Sequence, residues 1–128
     1  MNKPISSMMT SQVWTANMDD TVESIEAFMN SHRLSWVPVR EPNGTIVGAI
    51  SSADLLQFHA RKKDPGTVSA WQMCNYKPIA VRCDTSIGDV AKLMVERRIH
   101  HVVVTENDAI VGVVSSLDFV RRCMTNGT

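Results

Sequence analysis

Ile46-Val47-Gly48-Ala49-Ile50-Ser51-Ser52-Ala53-Asp54 returns later in the chain as Ile110-Val111-Gly112-Val113-Val114-Ser115-Ser116-Leu117-Asp118. In both copies an apolar run of strand composition ends at a serine, and an aspartate follows at the spacing of a helix start. The similarity extends backward across the preceding turn when one residue is skipped. Met29 meets Met94, Arg33 meets Arg98, Val37 and Val39 meet Val102 and Val104, and Glu41 meets Glu106. Residues 29–54 thus overlay residues 94–118. Chance would scatter such matches; clustered ones mark an internal duplication.

Each copy predicts the same elements. A helix opens at Thr21 with Val22, Ile25, Phe28 and Met29 on one face, and its counterpart opens at Ser86 with Ile87, Val90, Leu93 and Met94. Ser86 and Asp89 have capping-box spacing. Strand-rich runs follow, Trp36-Val37-Pro38-Val39 and His101-Val102-Val103-Val104, each closed by a polar turn, Glu41-Pro42-Asn43-Gly44 or Glu106-Asn107-Asp108. The next strands, residues 46–50 and 109–114, are apolar enough to be covered on both faces. Short closing helices carry Leu55, Leu56 and Phe58, or Phe119 and Val120, and residues 8–18 and 73–82 are expected to add one further strand per unit.

The fold class is therefore α/β of the α+β kind, two βαββα repeats. Residues 1–60 form the first and residues 68–128 the second. Residues 61–67 join them, and the run Arg61-Lys62-Lys63-Asp64-Pro65-Gly66 reads as a solvated linker, not a site. A unit of roughly 60 residues buries little apolar surface alone, so the repeats are expected to pack face to face with pseudo-two-fold symmetry.

Composition narrows the function. Of 128 residues, 44% are hydrophobic and 20% charged, the balance of an ordinary globular chain. Thirteen basic residues cancel thirteen acidic ones, which leaves no general field for nucleic acid. Met1-Asn2-Lys3-Pro4-Ile5-Ser6 has no apolar run after its charge, and no segment approaches membrane-spanning length, so a cytoplasmic protein without a membrane partner is expected. Cys74, Cys83 and Cys123 are odd in number and widely spaced, which suits reduced and mostly buried thiols.

Enzyme and metal readings find little footing. No nucleophile elbow, P-loop or His-Glu-x-x-His is present, and Cys83 beside Asp84 lacks an activating partner in the sequence. His100 and His101 are neighbours on a strand and point to opposite faces, so they do not readily share one ion. Arg97-Arg98 and Arg121-Arg122 read as solvated helix-end charges. Trp14, Trp36 and Trp71 read first as core, Trp36 as core or dimer contact, although an indole can also stack on a base.

The strand-end serine and the aspartate after it carry the chemistry. A helix N-terminus offers unpaired N–H groups and partial positive charge, which stabilise a phosphate, and Ser51 or Ser115 can donate to it. The carboxylates of Asp54 and Asp118 can accept from two vicinal hydroxyls, as acidic residues hold ribose in other nucleotide folds. A ligand-free reading stands beside this one: Ser-x-x-Asp is close to a capping box, and a structural duplication would preserve its caps.

The hydrophobic-Gly-x-x-Ser-x-x-Asp element occurs twice, and the second copy follows a His-x-hydrophobic-Val pattern at His100-His101-Val102-Val103. On these motifs the chain resembles a tandem cystathionine-β-synthase (CBS) domain pair, or Bateman module, over nearly its whole length. It is especially similar to the nucleotide-binding half of the regulatory subunit of AMP-activated kinase. The resemblance implies two clefts, each taking its ribose-binding aspartate from one repeat and a base-contacting strand from the other. One would join Ser115 and Asp118 to Leu34, Ser35 and the strand from Thr10 to Trp14. The other would join Ser51 and Asp54 to Ile99, His100 and residues 73–75. His100 matches a phosphate-contacting histidine, and His101 replaces the cationic neighbour found there. No obligatory cofactor is implied, only an adenosine nucleotide (AMP, ADP, ATP or S-adenosylmethionine) as regulatory ligand, an effector protein acting in trans and a homodimer through the helical faces. The alternatives are a ligand-free dimerisation or scaffold module and, disfavoured by the zero net charge, a single-stranded nucleic-acid binder.

Overall fold

Thr21 and Ser86 do cap helices: Thr21 Oγ1 accepts from Ser24 N and Ser86 Oγ from Asp89 N, each at 3.1 Å. The computed structural model describes residues 1–75 and 77–126; Tyr76, Gly127 and Thr128, all placed in the repeats above, lie outside the described residues. In chain order come a 3-10 turn Ile5–Ser7, β1 (Ala16–Asn17), α1 (Val22–Ser31), β2 (Trp36–Arg40), β3 (Ile46–Ser51), α2 (Ser52–Ala60) and α3 (Ala70–Met73). The second half continues with β4 (Ala80–Arg82), α4 (Ile87–Arg97), β5 (His101–Glu106), β6 (Ala109–Ser115) and α5 (Ser116–Asn126). The architecture is mixed α+β with two three-stranded sheets.

Trp14–Pro78 form one compact unit. Its sheet runs β1-β2-β3, with β1 parallel and β3 antiparallel to the central β2. Ile25 and Met29 of α1 pack with Val37, Val39, Ile50 and Ala70 in its core. The chain 65–68 lies along the start of α1, where Glu23 N donates to Pro65 O and Val22 N to Val68 O, both at 2.9 Å.

Met1–Val13 and Ile79–Thr128 form the other unit. Its sheet runs β4-β5-β6 with the same directions. Ile5, Ile87, Val90, Val102, Val104 and Val114 are fully buried in its core. The duplication holds in detail. Both sheets carry a register shift at matching places, Val39/Arg40 and Val104/Thr105, and both long helices end near an arginine at φ 54°, Arg33 and Arg98.

One difference between the sheets traces to a single residue. Val103 N donates to Ile79 O at 3.1 Å and helps to hold the three-residue β4. Its repeat partner is Pro38, which has no N–H, and β1 pairs only with Val39 and Arg40. Strand β6 departs from the expectation of cover on both faces: Gly112 and Val114 are buried and the residues between are half-exposed.

The segments ahead of each repeat supply the expected extra strand, and each also makes a second contact. Each divides in two. Residues 16–17 and 80–82 do join their own sheets, but Asn75 bridges Ala49 of β3 and Thr10 bridges Val113 of β6. The compact units therefore exchange these leading segments relative to the linear repeats. The motif glycines make room for them: a Cβ on Gly48 would stand 2.5 Å from Asn75 O and 2.6 Å from Cys74 Sγ, and one on Gly112 would collide with Met9 Sδ.

Two side-chain expectations are corrected. Cys74 and Cys83 are half-buried and Cys123, on the second half of α5, is exposed, so the thiols are less buried than expected. Trp71 lies on a four-residue helix too short to cover it and is 53% exposed, and Trp14 is 36% exposed. Among the described residues no helix is long and apolar enough to cross a membrane.

Candidate functional site

Both serine-aspartate pairs sit where a strand passes directly into a helix. At the start of α2, Ser51 Oγ accepts from Asp54 N at 3.1 Å and Ser51 N donates to Asp54 Oδ2 at 2.8 Å. At the start of α5, Ser115 Oγ accepts from Asp118 N at 3.3 Å and Ser115 N donates to Asp118 Oδ2 at 2.8 Å. These are complete capping boxes, so each aspartate has a structural role before any ligand is considered.

The two carboxylates differ in their second oxygen. Asp54 Oδ1 accepts a short hydrogen bond from Asn75 Nδ2. Thr10 takes the place of Asn75 on the other sheet, where it exchanges backbone hydrogen bonds with Val113 at 3.0 Å in each direction. Among the described residues no donor is recorded on Asp118 Oδ1, which leaves that oxygen for hydroxyls of a ligand.

A second link ties the strand start to the helix start in each unit. Ser52 N donates to Ser35 O and Ser116 N to His100 O, both at 2.9 Å. Ser35 and His100 are repeat partners, and the hydroxyl of Ser116 also lies 3.3 Å from His100 Nδ1. Burial holds His101 below the ordinary imidazole value of 6.5; the charge of His100 pushes the same way, and Asp118 opposes both. His101 is therefore disposed to be neutral at physiological pH.

Of the residues expected at the site, Thr10, Ile99, His100, His101, Ser115 and Asp118 belong to the composite unit, and Leu34, Ser35, Ser51 and Asp54 to the continuous one. Thr10 bridges the strand that leads to Ser115, and Asn75 reaches Asp54. Leu34 and Ile99 pack on the cores of their own units. Trp14 stands edge-on to Phe28 with ring centres 5.6 Å apart and lies 4.2 Å from the His32 ring, so its neighbours are protein rings.

Two cavities adjoin these residues. An apolar one of about 520 Å³ is lined by Met94, Ile99, His100, Ser116, Phe119 and Cys123 among others. A polar one of about 180 Å³ runs beside α2 and is lined by Asp54, Gln57, Arg61, Lys63, Gln72 and Asn75 among others. Sequence reasoning missed Arg61, Lys63 and Gln72. Their signal, a charge run and an exposed helix cap, is that of any solvated connection.

Chemistry at the nearby thiol is disfavoured. Burial raises the pKa of Cys74, its backbone hydrogen bond lowers it, and the charge of Asp54 raises it further, so the thiol stays protonated. Among the described residues no group of three or more His, Cys, Asp or Glu is placed to hold a metal ion.

Residues 5–61 and 70–125 each match the model of the CBS domain. YlbB of Bacillus subtilis, an uncharacterized protein, is 26% identical over 123 residues, covering 95% of this chain and 83% of its own. The CBS domain protein TA0289 of Thermoplasma acidophilum superposes with a TM-score of 0.83 at 27% identity, covering 94% of this chain and 69% of that one. CBSX2, solved in complex with AMP, superposes with a TM-score of 0.83 at 21% identity, covering 98% and 99%.

Proposed function

The chain belongs to the CBS domain family, with two domains in tandem, and from that premise we propose that it is a regulatory module that binds an adenosine-type nucleotide and signals to a partner protein. The observation that carries this reading is the carboxylate of Asp118: one oxygen is held in the cap, so the group is oriented, and among the described residues the other has no donor. A ribose diol is the ligand group that such an oxygen accepts from. Ser115 and the N-terminus of α5 would meet the phosphate, with Thr10 of the same unit beside that strand, and Ser51 and Asp54 would offer the same pair in the other unit. Leu34, Ser35, Ile99, His100 and His101, which the resemblance adds to the nucleotide contacts, belong to the same proposal. The AMP bound by CBSX2 supports the ligand class.

No residue of the module is assigned a catalytic role. A homodimer through helical faces and a cytoplasmic setting belong to the same reading. The nucleotide shifts the module between shapes only to the extent that it binds one shape better, so contacts made in one state alone would set the size of the signal.

The rival reading is a ligand-free scaffold, favoured by the completeness of both capping boxes. Calorimetric titration with AMP, ADP, ATP and S-adenosylmethionine, with guanosine nucleotides as controls, separates the two. Adenosine-selective binding that Asp118→Ala removes, at a stability cost of about 1 kcal/mol for the lost cap, establishes the nucleotide role. Silence across the panel, with Asp118→Ala acting on stability alone, establishes the scaffold.

A further inference from the structure

We infer that the polar cavity beside α2 takes a phosphate chain, so that the Asp54 site selects nucleoside di- and triphosphates over monophosphates, with Arg61 and Lys63 as the residues that set this preference. The inference rests on the nucleotide reading above and adds a ligand subclass to one of its two sites.

Asp54, Gln57, Phe58 and Arg61 recur at helical spacing and all line this cavity, as does Lys63 beyond the helix end. From Asp54 to Arg61 is seven residues, about 10 Å along the axis at 1.5 Å per residue. The cavity thus runs from the expected ribose position to two cations. Lys62, between them, adopts φ 56°, and this left-handed turn brings Arg61 and Lys63 to the cavity while Lys62 is not among its lining residues. Helix-end cations also answer the helix dipole, but that role asks for no cavity in front of them. Among the described residues neither Arg61 nor Lys63 has an acidic partner. Between the ends lie the side-chain amides of Gln57, Gln72 and Asn75; Gln72 spends its Oε1 on Ser69 N at 2.8 Å, which leaves its NH2 as a donor.

Size decides what the cavity holds. About 180 Å³ is below the roughly 300–1,000 Å³ of sites that enclose a whole small molecule, so it suits a tail while the nucleoside lies outside. The charge of Asp54 does not forbid this. Its carboxylate is already bonded by Ser51 N and Asn75 Nδ2, which answer part of its charge. The other repeat lacks the arrangement: Thr125 replaces Arg61, and its hydroxyl donates to Arg121 O.

The test is calorimetric titration of the whole chain with adenosine, AMP, ADP, ATP and inorganic tripolyphosphate, repeated on Arg61→Gln/Lys63→Gln. Both residues are exposed, so the double variant should fold, and an unchanged melting temperature checks that it has. The expected result is ATP about tenfold tighter than AMP, a preference of 1.4 kcal/mol, that falls below threefold in the double variant and weakens with added salt. An ATP preference that is absent, or that survives the double substitution, overturns the inference while any adenosine binding keeps the nucleotide reading. Tripolyphosphate binding that depends on Arg61 and Lys63, without adenosine binding, upholds the anion site and overturns the nucleotide reading. Silence to every ligand overturns both.

Discussion

Replacing Gly48 by alanine should be among the most damaging single-methyl changes in this chain, and more damaging than the same change at Gly112. The added Cβ of Gly48→Ala would stand 2.5 Å from Asn75 O and 3.2 Å from Cys74 Cβ. The first obstacle is backbone, held in place by the hydrogen bond from Asn75 N to Ala49 O at 3.0 Å, so relief requires the whole segment around Asn75 to move. Overpacking of this kind costs typically 1–3 kcal/mol, and the upper end applies because the bridge to Ala49 and the bond to Asp54 are strained together. At Gly112 the severe clashes are with Met9 Sδ and Cγ, both on a flexible side chain, and the nearest backbone atom, Thr10 O, lies at 3.1 Å. Methionine can change rotamer, so about 1 kcal/mol is expected there. At about 4 °C per kcal/mol for a chain of this size, Gly48→Ala should lower the melting temperature by about 12 °C and Gly112→Ala by about 4 °C. Thermal unfolding followed by circular dichroism reads both. Equal losses, or a larger loss at Gly112, would refute the placement of the leading segments against the motif glycines.

Two further outcomes follow from burial and charge. Ile5→Ala should destabilise by about 3 kcal/mol, because Ile5 is fully buried despite its place near the start of the chain; a urea midpoint within error of the wild type would remove residues 1–13 from the core of that unit. His101 is held below 6.5, so the unfolded chain takes up its proton first as the pH falls. Its contribution is complete above 6.5 and is lost as the pH drops below that value toward the lower folded pKa. Stability measured at pH 7.5 and 5.5 should therefore fall less in His101→Gln than in the wild type, and equal falls would sink the assignment.

The duplication, both long helices, their caps and the paired strands were legible because each leaves a pattern of period 2 or 3.6 over several residues. The exchange of leading segments leaves no such pattern and entered only through the family resemblance, which joined residues 10–14 to Ser115 and Asp118 and residues 73–75 to Ser51 and Asp54. A three-residue turn and a single bridge, Thr10 to Val113 or Asn75 to Ala49, leave no periodicity to read. Its one trace was the glycine of each motif, which sequence alone assigns equally well to a turn, a bulge or a close approach. The same limit hid Arg61 and Lys63. Only the left-handed turn at Lys62 distinguishes a cavity lining from a solvated run, and nothing in Arg-Lys-Lys-Asp specifies it.

Capping and ligand binding need not compete for one aspartate, because a carboxylate has two oxygens and the cap uses one. The two sites then differ in what a ribose must displace. At Asp118 the second oxygen has no donor among the described residues, so a ribose adds hydrogen bonds without breaking any. At Asp54 it must first release Asn75 Nδ2, a loss of about 1.5–3 kcal/mol for a hydrogen bond to a charged group, offset by the bonds that the ribose makes. A monophosphate has little beyond the ribose with which to compensate. A longer phosphate chain reaching Arg61 and Lys63 does, at a typical 0.2–1 kcal/mol per exposed charge pair. On the proposed reading, the two halves of one duplicated sequence would be divided in ligand preference, Asp118 toward the monophosphate and Asp54 toward the longer chain, by three side chains outside the shared motif.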